Sequence, residues 1–225
     1  MNRGKILLEW VRIAAGLAVF SLGVHLTIYA NIGLAPWDCL GMGIARHTPL
    51  NYGLSMTAMA VIILLIDLLL KERIGFGTII DALLTGNFVQ LFNDLNPLPE
   101  NYNLWLGIAI MLFGFVFMAL GMWIYMGAAQ CCGPRDSLLV GLGKRLRKLP
   151  IGAEEILLWA AVLLAGWLLG GPVGIGTLIS TVGAGAVMQA VYRVVRFDPR
   201  DVRHRDVLEV VRALAGRPKN AKTVG

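Results

Sequence analysis

The sequence predicts an all-α membrane protein: six transmembrane helices forming two inverted three-helix repeats, each with a broken, re-entrant segment after its first span. Three observations lead there. First, 57% of the 225 residues are hydrophobic and 15% charged, with a mean hydropathy of +0.70. Soluble domains carry roughly a quarter charged residues, so a soluble fold of this size could not cover that much apolar surface. Second, six apolar runs approach the ~20 residues a helix needs to cross ~30 Å of hydrocarbon. Third, one phrase occurs twice: GFGTII from Gly75 and GIGTLI from Gly174, each opening an apolar run that ends in a glutamine, Gln90 or Gln189. Both landmarks are separated by 99 positions (174 − 75 and 189 − 90). That period is too long for a soluble solenoid and suits a bundle of three membrane helices.

Taken in order, the first span runs over about Ile6–Ala30, with Arg3, Lys5 and Arg12 at its leading end, where Arg12 can snorkel to the headgroups. It has the charged flank of a signal peptide without the small-residue cleavage pattern, so it reads as a retained span. Asn31 to Gly53 is apolar but broken by Gly33, Pro36, Gly41 and Gly43. Span two is about Leu54–Leu70 and span three about Phe76–Phe92, followed by a polar loop over Asn93–Asn103. Span four is about Leu104–Met126. A second broken stretch covers Gly127–Gly152, and span five starts at about Glu155, shortened by Glu154 and Glu155, and ends near Leu169. Gly170, Gly171 and Pro172 turn into span six, about Val173–Val195. The remainder is a basic tail. Asp198 and Pro199 form an N-cap and first helical residue. Val207, Val210, Val211 and Leu214 share one face beside Arg203, Arg205 and Arg212, the pattern of an interfacial helix. Residues 1–95, 96–197 and 198–225 are thus first repeat, second repeat and cytoplasmic tail.

Lysine and arginine bias orients the chain. The N-terminus, the Lys71–Arg73 turn, the Lys144–Lys148 cluster and the tail are basic, whereas Asn93–Asn103 and Gly170–Pro172 carry no Lys or Arg. Alternation through six spans puts every rich segment in the cytoplasm, with both termini inside; Arg46 and His47 fall outside. The net charge of +6 has no aromatic-interleaved basic face, so the reading excludes nucleic acid and assigns the charge to anionic lipid headgroups, especially at the tail. Cys39, Cys131 and Cys132 form neither a CxxC pair nor a zinc cluster and read as small apolar packing residues.

Aligning Pro36 with Pro134, an offset of 98, also pairs Gly16 with Gly114, Gly23 with Gly121, Ala30 with Ala128 and Asp38 with Asp136. At offset 99 Gly53 meets Gly152, Thr78 meets Thr177 and Gly86 meets Gly185. An odd number of spans per copy makes the second enter from the opposite side, the arrangement of many secondary transporters. Non-helical backbone at membrane depth must be buried in protein or line a water-filled cavity. If both broken segments dip inward, their PxD turns meet near the midplane and bring Asp38, Arg135 and Asp136 to a substrate pathway. The bland alternative is two short helices lying in the interface.

The motifs GLAPWD at Gly33–Asp38, CCGPRD at Cys131–Asp136, GFGT at Gly75 and GIGT at Gly174 resemble the YczE-type branch of the YitT/YczE group of bacterial inner-membrane proteins. The resemblance covers most of residues 10 to 195. It implies a fold and a location, the bacterial inner membrane, and carries over no catalytic residue, since the group has no settled activity. Ala35 stands opposite Gly133, and Cys131 where Gly33 would be.

The GxGT starts (Gly75, Gly77, Thr78; Gly174, Gly176, Thr177) offer free backbone N–H groups that can bind an anionic or polar substrate group, or serve simply as tight turns with a threonine cap. Asp81, inside span three with Ser180 as its mate, is a candidate for proton or ion coupling or a headgroup-facing acid. His25 is a relay candidate or a histidine bonded between helices. Asp67 reads as an i,i+4 partner of Lys71, and Asn87, Gln90 and Gln189 as bridges between helices. Trp10, Trp37, Trp105 and Trp123 read as an interface belt, and Glu154 and Glu155 as a solvated face. No nucleophile motif, phosphate loop or metal cluster is present, so the sequence points to no catalytic residue, no metal and no cofactor.

The leading expectation is a small-solute transporter or permease, not an enzyme, with a homo-oligomer as its expected assembly because six short spans enclose little volume. The alternative is a non-transporting membrane scaffold or regulator that holds a cytoplasmic partner on its tail. A lipid-modifying membrane enzyme is the third reading, weakened by the missing nucleophile.

Overall fold

The computed structural model describes residues 3–72, 75–97, 99–127, 133–143, 145 and 151–197, with side chains throughout except at 3–7, 76, 136, 140, 143 and 151–153. Eight helices form these stretches, and the described residues contain no strand. They are α1 (Arg3–Tyr29), α2 (Pro36–His47), α3 (Tyr52–Leu69), α4 (Phe76–Leu95), α5 (Leu104–Met126), α6 (Pro134–Gly143), α7 (Ile151–Leu168) and α8 (Ile175–Val194). The order long, short, long, long occurs twice. Four of them, Leu8–Tyr29 within α1, α3, α5 and α8, are long and apolar enough to cross a membrane. The other two long helices carry more polar groups: Asp81, Asn87, Gln90, Asn93 and Asp94 in α4, Glu154 and Glu155 in α7.

Each interrupted segment contains a short helix among its described residues. Proline opens both α2 and α6, where its missing N–H costs nothing and its fixed φ suits the first turn. Arg46 and His47 close α2 and complement its dipole. Twelve residues reach only about 18 Å, too short to span, and Pro36, Asp38, Cys39, Gly41 and Gly43 are all buried. The two internal glycines that look like helix breakers are packing positions. A Cβ on Gly43 would lie 2.9 Å from the Gly166 carbonyl oxygen, and one on Gly166 2.6 Å from Leu40 N, so α2 lies hard against α7.

The centre of the bundle is the pair α1 and α5. A Cβ on Gly16 would stand 2.6 Å from Tyr125 N and 3.0 Å from the Gly121 carbonyl; one on Gly23 would stand 2.6 Å from the Gly114 carbonyl, and one on Gly114 2.8 Å from that of Gly23. Contacts that rise along α1 while falling along α5 make the two helices antiparallel. Around this pair α4 packs on α1 and α8 on α5, α2 on α7 and α3, and α6 on α3 and α7. The largest departure from equivalence between the repeats is at α3–α4, and the minor α4–α6 contact has no comparable α8–α2 counterpart among the described residues either. The α3–α4 pair is tight, with Gly86 set against the Gly53 carbonyl and Gly53 N donating to Gln90 Oε1 at 3.2 Å. Between the described parts of α7 and α8 there is no comparable packing, and Gly185, the mate of Gly86, has nothing within 4 Å of its Cβ position.

Turns follow from local chemistry. Asn31 (φ 52°) and Gly33 (φ 113°) reverse the chain after α1, and Gly33 is pressed against Gly174, where a Cβ would stand 2.5 Å from its nitrogen. The loop before α5 is tied down by Asn101, whose Nδ2 donates to the Ala30 carbonyl at 2.9 Å while its backbone carbonyl accepts from Asn31 Nδ2 at 3.0 Å. Asn101 is 7% exposed. Its replacement by alanine orphans the buried end of α1 and is expected to cost about 1–3 kcal/mol, read as a lower midpoint of thermal unfolding in detergent.

Three expectations are corrected here. The first turn of α7 begins at Ile151, so Glu154 and Glu155 do not shorten it. Glu154 is not solvated: it is 4% exposed, and neither carboxylate oxygen has a hydrogen-bond partner among the described residues. Asp67 is fully buried with both oxygens likewise unpartnered. It does not pair with Lys71, because α3 ends at Leu69 and Lys71 takes a left-handed φ of 56°, off the helical i,i+4 position. Cys131, Cys132, most of the Lys144–Lys148 cluster and the tail helix lie outside the described residues.

Candidate functional site

The N-terminal ends of α2 and α6 bound one cavity of about 300 Å³, the lower end of the size range of ligand sites. The sequence repeat organises its wall. From α1 and α5 come Phe20 and Met118, Val24 and Met122, Thr27 and Tyr125, each pair 98 positions apart; from α4 and α8 come Asp81 and Ser180, Thr85 and Ala184, Val89 and Met188, each pair 99 apart. Met56 of α3 lines it opposite Glu155 of α7, and Ala60 opposite Trp159. Trp37 and Arg135, which are equivalent at offset 98, touch: the guanidinium carbon lies 5.1 Å from the indole centroid, within cation–π range.

Polar groups are few and specific. Asp38 is 6% exposed and is held by the first turn of α2. Its Oδ1 accepts from the Tyr52 hydroxyl at 3.0 Å, its one hydrogen bond among the described residues. Asp81 on α4 accepts from the Thr85 hydroxyl one turn later. The Arg135 guanidinium reaches both aspartates electrostatically without an ion pair to either, and its Nη2 donates to Met56 Sδ at 3.9 Å. Glu155 adds a third carboxylate to the wall.

Sequence-predicted residues divide between this cavity and other places. Asp38, Arg135 and Asp81 meet at it; the Asp136 side chain lies outside the described residues. Thr78 and Thr177 are buried, at 0% and 2% exposure, and neither lines the cavity. Thr177 Oγ1 accepts from Gly174 N at 3.2 Å, closing the first turn of α8, and Gly176 N donates to the Ile32 carbonyl at 2.7 Å. Gly174 and Gly176 thus seat α8 against the turn after α1, and Gly75 begins α4 as its N-cap with Gly77 in the first turn. His25 is also away from the cavity, its Nδ1 donating to Asn93 Oδ1 at 2.6 Å between α1 and α4. Gln90 bridges to α3 through Gly53, Asn87 folds back on the Leu83 carbonyl of its own helix, and Gln189 is exposed.

Trp37, Tyr52, Glu155 and Trp159 are among the wall residues that sequence reasoning did not place there. For Glu155, Leu158 and Trp159 a signal existed, since their i, i+3, i+4 spacing is one helix face. Trp37 sits inside the PxD motif rather than at a span end, which argues against an interface belt. Among the described residues no three His, Cys, Asp or Glu side chains form a metal site.

The family described as "Family of unknown function (DUF6198)" matches residues 7–193, which includes nearly all of α1 to α8. The chain is 29% identical over 191 residues to the uncharacterized membrane protein YczE of Bacillus subtilis (strain 168), covering 82% of this chain and 86% of that one. It is 31% identical over 176 residues to an uncharacterized protein of Haemophilus influenzae (strain ATCC 51907 / DSM 11121 / KW20 / Rd), covering 77% and 78%. It is 28% identical over 184 residues to the uncharacterized protein YyaS of Bacillus subtilis (strain 168), covering 80% and 90%. No solved structure matches. The resemblance carried by the four motifs is therefore real, and with four membrane-length helices the chain is a multi-pass membrane protein.

Proposed function

We propose a transport function for this chain, which belongs to the family DUF6198 and is YczE-like: a small-solute permease of the bacterial inner membrane, acting without chemical conversion of its solute. The observation that carries the reading is the cavity lined by equivalent positions of both sequence repeats. Secondary transporters built from inverted repeats hold their substrate at the repeat interface near the bilayer midplane.

The inverted arrangement of six spans draws support from the α1–α5 pair. The mates Gly16 and Gly114 face Gly121 and Gly23 respectively, a reciprocal exchange that a two-fold axis produces. Antiparallel helices related in this way have the axis across them, in the membrane plane. Trp37 against its mate Arg135 is what residues beside such an axis do. In this reading α2 and α6 are re-entrant half-helices, the basic segments and both termini face the cytoplasm and its anionic headgroups, and Asp38, Arg135 and Asp136 line the path.

In this reading alternating access uses the main broken equivalence, between α3–α4 and α7–α8. The α3–α4 pair is shut and the α7–α8 pair is apart; exchange of these two states between the repeats would move the opening to the other side of the membrane.

The test is flux in proteoliposomes, with glycerol, urea, glycine, choline and acetate offered in turn. Saturable movement of at least one, reduced about tenfold or more by Asp38→Asn with the thermal midpoint unchanged, supports the reading. No movement of any of them, in full-length protein that still holds a cytoplasmic partner through residues after Phe197, would favour the scaffold instead.

A further inference from the structure

Among the described residues, the cavity's carboxylates outnumber its cations, and much of its wall is aromatic. Resting on the transport reading, we propose that its substrate is a small organic cation with an apolar portion, of the quaternary or protonated amine class. Three independent features converge on that chemistry.

The first is charge. Among the described side chains, Asp38, Asp81 and Glu155 face one guanidinium, Arg135. None of the three carboxylates forms an ion pair with that guanidinium, which instead lies over Trp37 and beside Met56 Sδ. Asp38 accepts one hydrogen bond, from Tyr52, which leaves Oδ2 without a partner among the described residues. A carboxylate shut away from water, as Asp38 is, either takes a counter-charge or gives up its charge. A bound cation would let it and its half-buried neighbours Asp81 and Glu155 stay ionised, where the one described guanidinium pairs with none of them.

The second is surface. The cavity is mostly apolar, and Phe20, Trp37, Tyr52, Phe115, Tyr125 and Trp159 all contribute to it. Aromatic faces attract desolvated cations and recognise quaternary ammonium groups that offer no hydrogen bond. Methionines 56, 118, 122 and 188 complete the wall with polarisable, adaptable surface. An inorganic cation would need a full oxygen shell, whereas this aromatic and methionine surface gives contact to the apolar portion of an organic cation.

The third is access. Glu155, Leu158 and Trp159 of α7 and Ser180, Ala184 and Met188 of α8 all line the cavity, yet the two helices do not close on each other. The space between them is therefore a seam in the cavity wall, and its α8 side carries exposed Leu178 and Val182. An amphipathic cation can pass such a seam, where a strongly hydrated solute would be stripped of water without compensation.

Full-length protein in lipid nanodiscs is titrated with benzyltrimethylammonium and with benzenesulfonate, of similar size and opposite charge, following tryptophan fluorescence from Trp37 and Trp159. The expected result is saturable binding of the cation at least about tenfold tighter than of the anion. Glu155→Gln and Asp81→Asn each weaken it about tenfold at an unchanged thermal midpoint, and Glu155→Asp recovers part of the loss. Equal or tighter binding of benzenesulfonate, or cation binding indifferent to both substitutions, overturns the inference. Proteoliposome flux separates it from the transport reading. Cation binding without cation flux retains the site and removes the transport; Asp38-dependent flux of glycine or acetate without cation binding does the reverse.

Discussion

Gly23→Leu is expected to remove the folded state under conditions where the parent protein is stable. The Cβ of any larger residue at this position would lie 2.6 Å from both the Gly114 carbonyl oxygen and Met118 N, and Gly114 presses back on Gly23 at 2.8 Å. Backbone atoms of a helix cannot rotate out of the way as a side chain can, so α1 and α5 must move apart along their whole crossing. Overpacking a core ordinarily costs about 1–3 kcal/mol, and this site stands at or above the upper end, against a total of about 5–15 kcal/mol for a folded domain. In a bilayer, close approach through small residues supplies the association itself, since lipid offers no hydrophobic drive between helices. Loss of the monodisperse peak on size exclusion, or a fall in thermal midpoint well beyond that of Asn101→Ala, is the expected measurement. Gly183→Leu is the control, because the nearest atom to its Cβ position, Ile179 Cγ2, is at an ordinary 3.6 Å. Equal stability of the Gly23 and Gly183 variants would mean that α1 and α5 are not the centre of the bundle.

The long helices were legible in the sequence because their cause is local. Apolar runs of membrane length, bounded by Gly33, Lys71 to Glu72, Asn103 and Gly170, need no tertiary knowledge to find. The nature of the two short segments was not legible. Gly41 and Gly43 read as breakers, and only the position of α7, unknowable from local pattern, reveals that Gly43 is where α2 meets Gly166. The site was half visible. Asp38 and Arg135 stand out as charges within apolar stretches, and Asp81 as a carboxylate inside a span. Tyr52 and Glu155 do not, because each is ordinary for its own helix end and becomes notable only when α3 and α7 bring it to the cavity. Glu154 shows the same limit: nothing in its neighbourhood in sequence distinguishes a buried carboxylate from a solvated one.

Gly185→Leu should separate the structure from the motion. In the observed arrangement nothing lies within 4 Å of the Cβ position of Gly185, so leucine fits. Leucine also favours the helix over glycine by nearly 1 kcal/mol, and the thermal midpoint should stay level or rise. Its mate behaves oppositely: a Cβ on Gly86 would stand 2.6 Å from the Gly53 carbonyl and 3.0 Å from Met56 Cβ, so Gly86→Leu is expected to destabilise. If the repeats exchange their states during transport, α7 must close on α8 as α3 now closes on α4, with Gly185 approaching Gly152 as Gly86 approaches Gly53. Leucine at position 185 forbids that approach. Gly185→Leu should therefore bind the cation about as tightly as the parent and move it at least about tenfold more slowly, since a 1.4 kcal/mol barrier already suffices for that factor. Parental flux through a stable Gly185→Leu protein would show that α7 and α8 never close, and the seam between them would then be a fixed entrance rather than a gate.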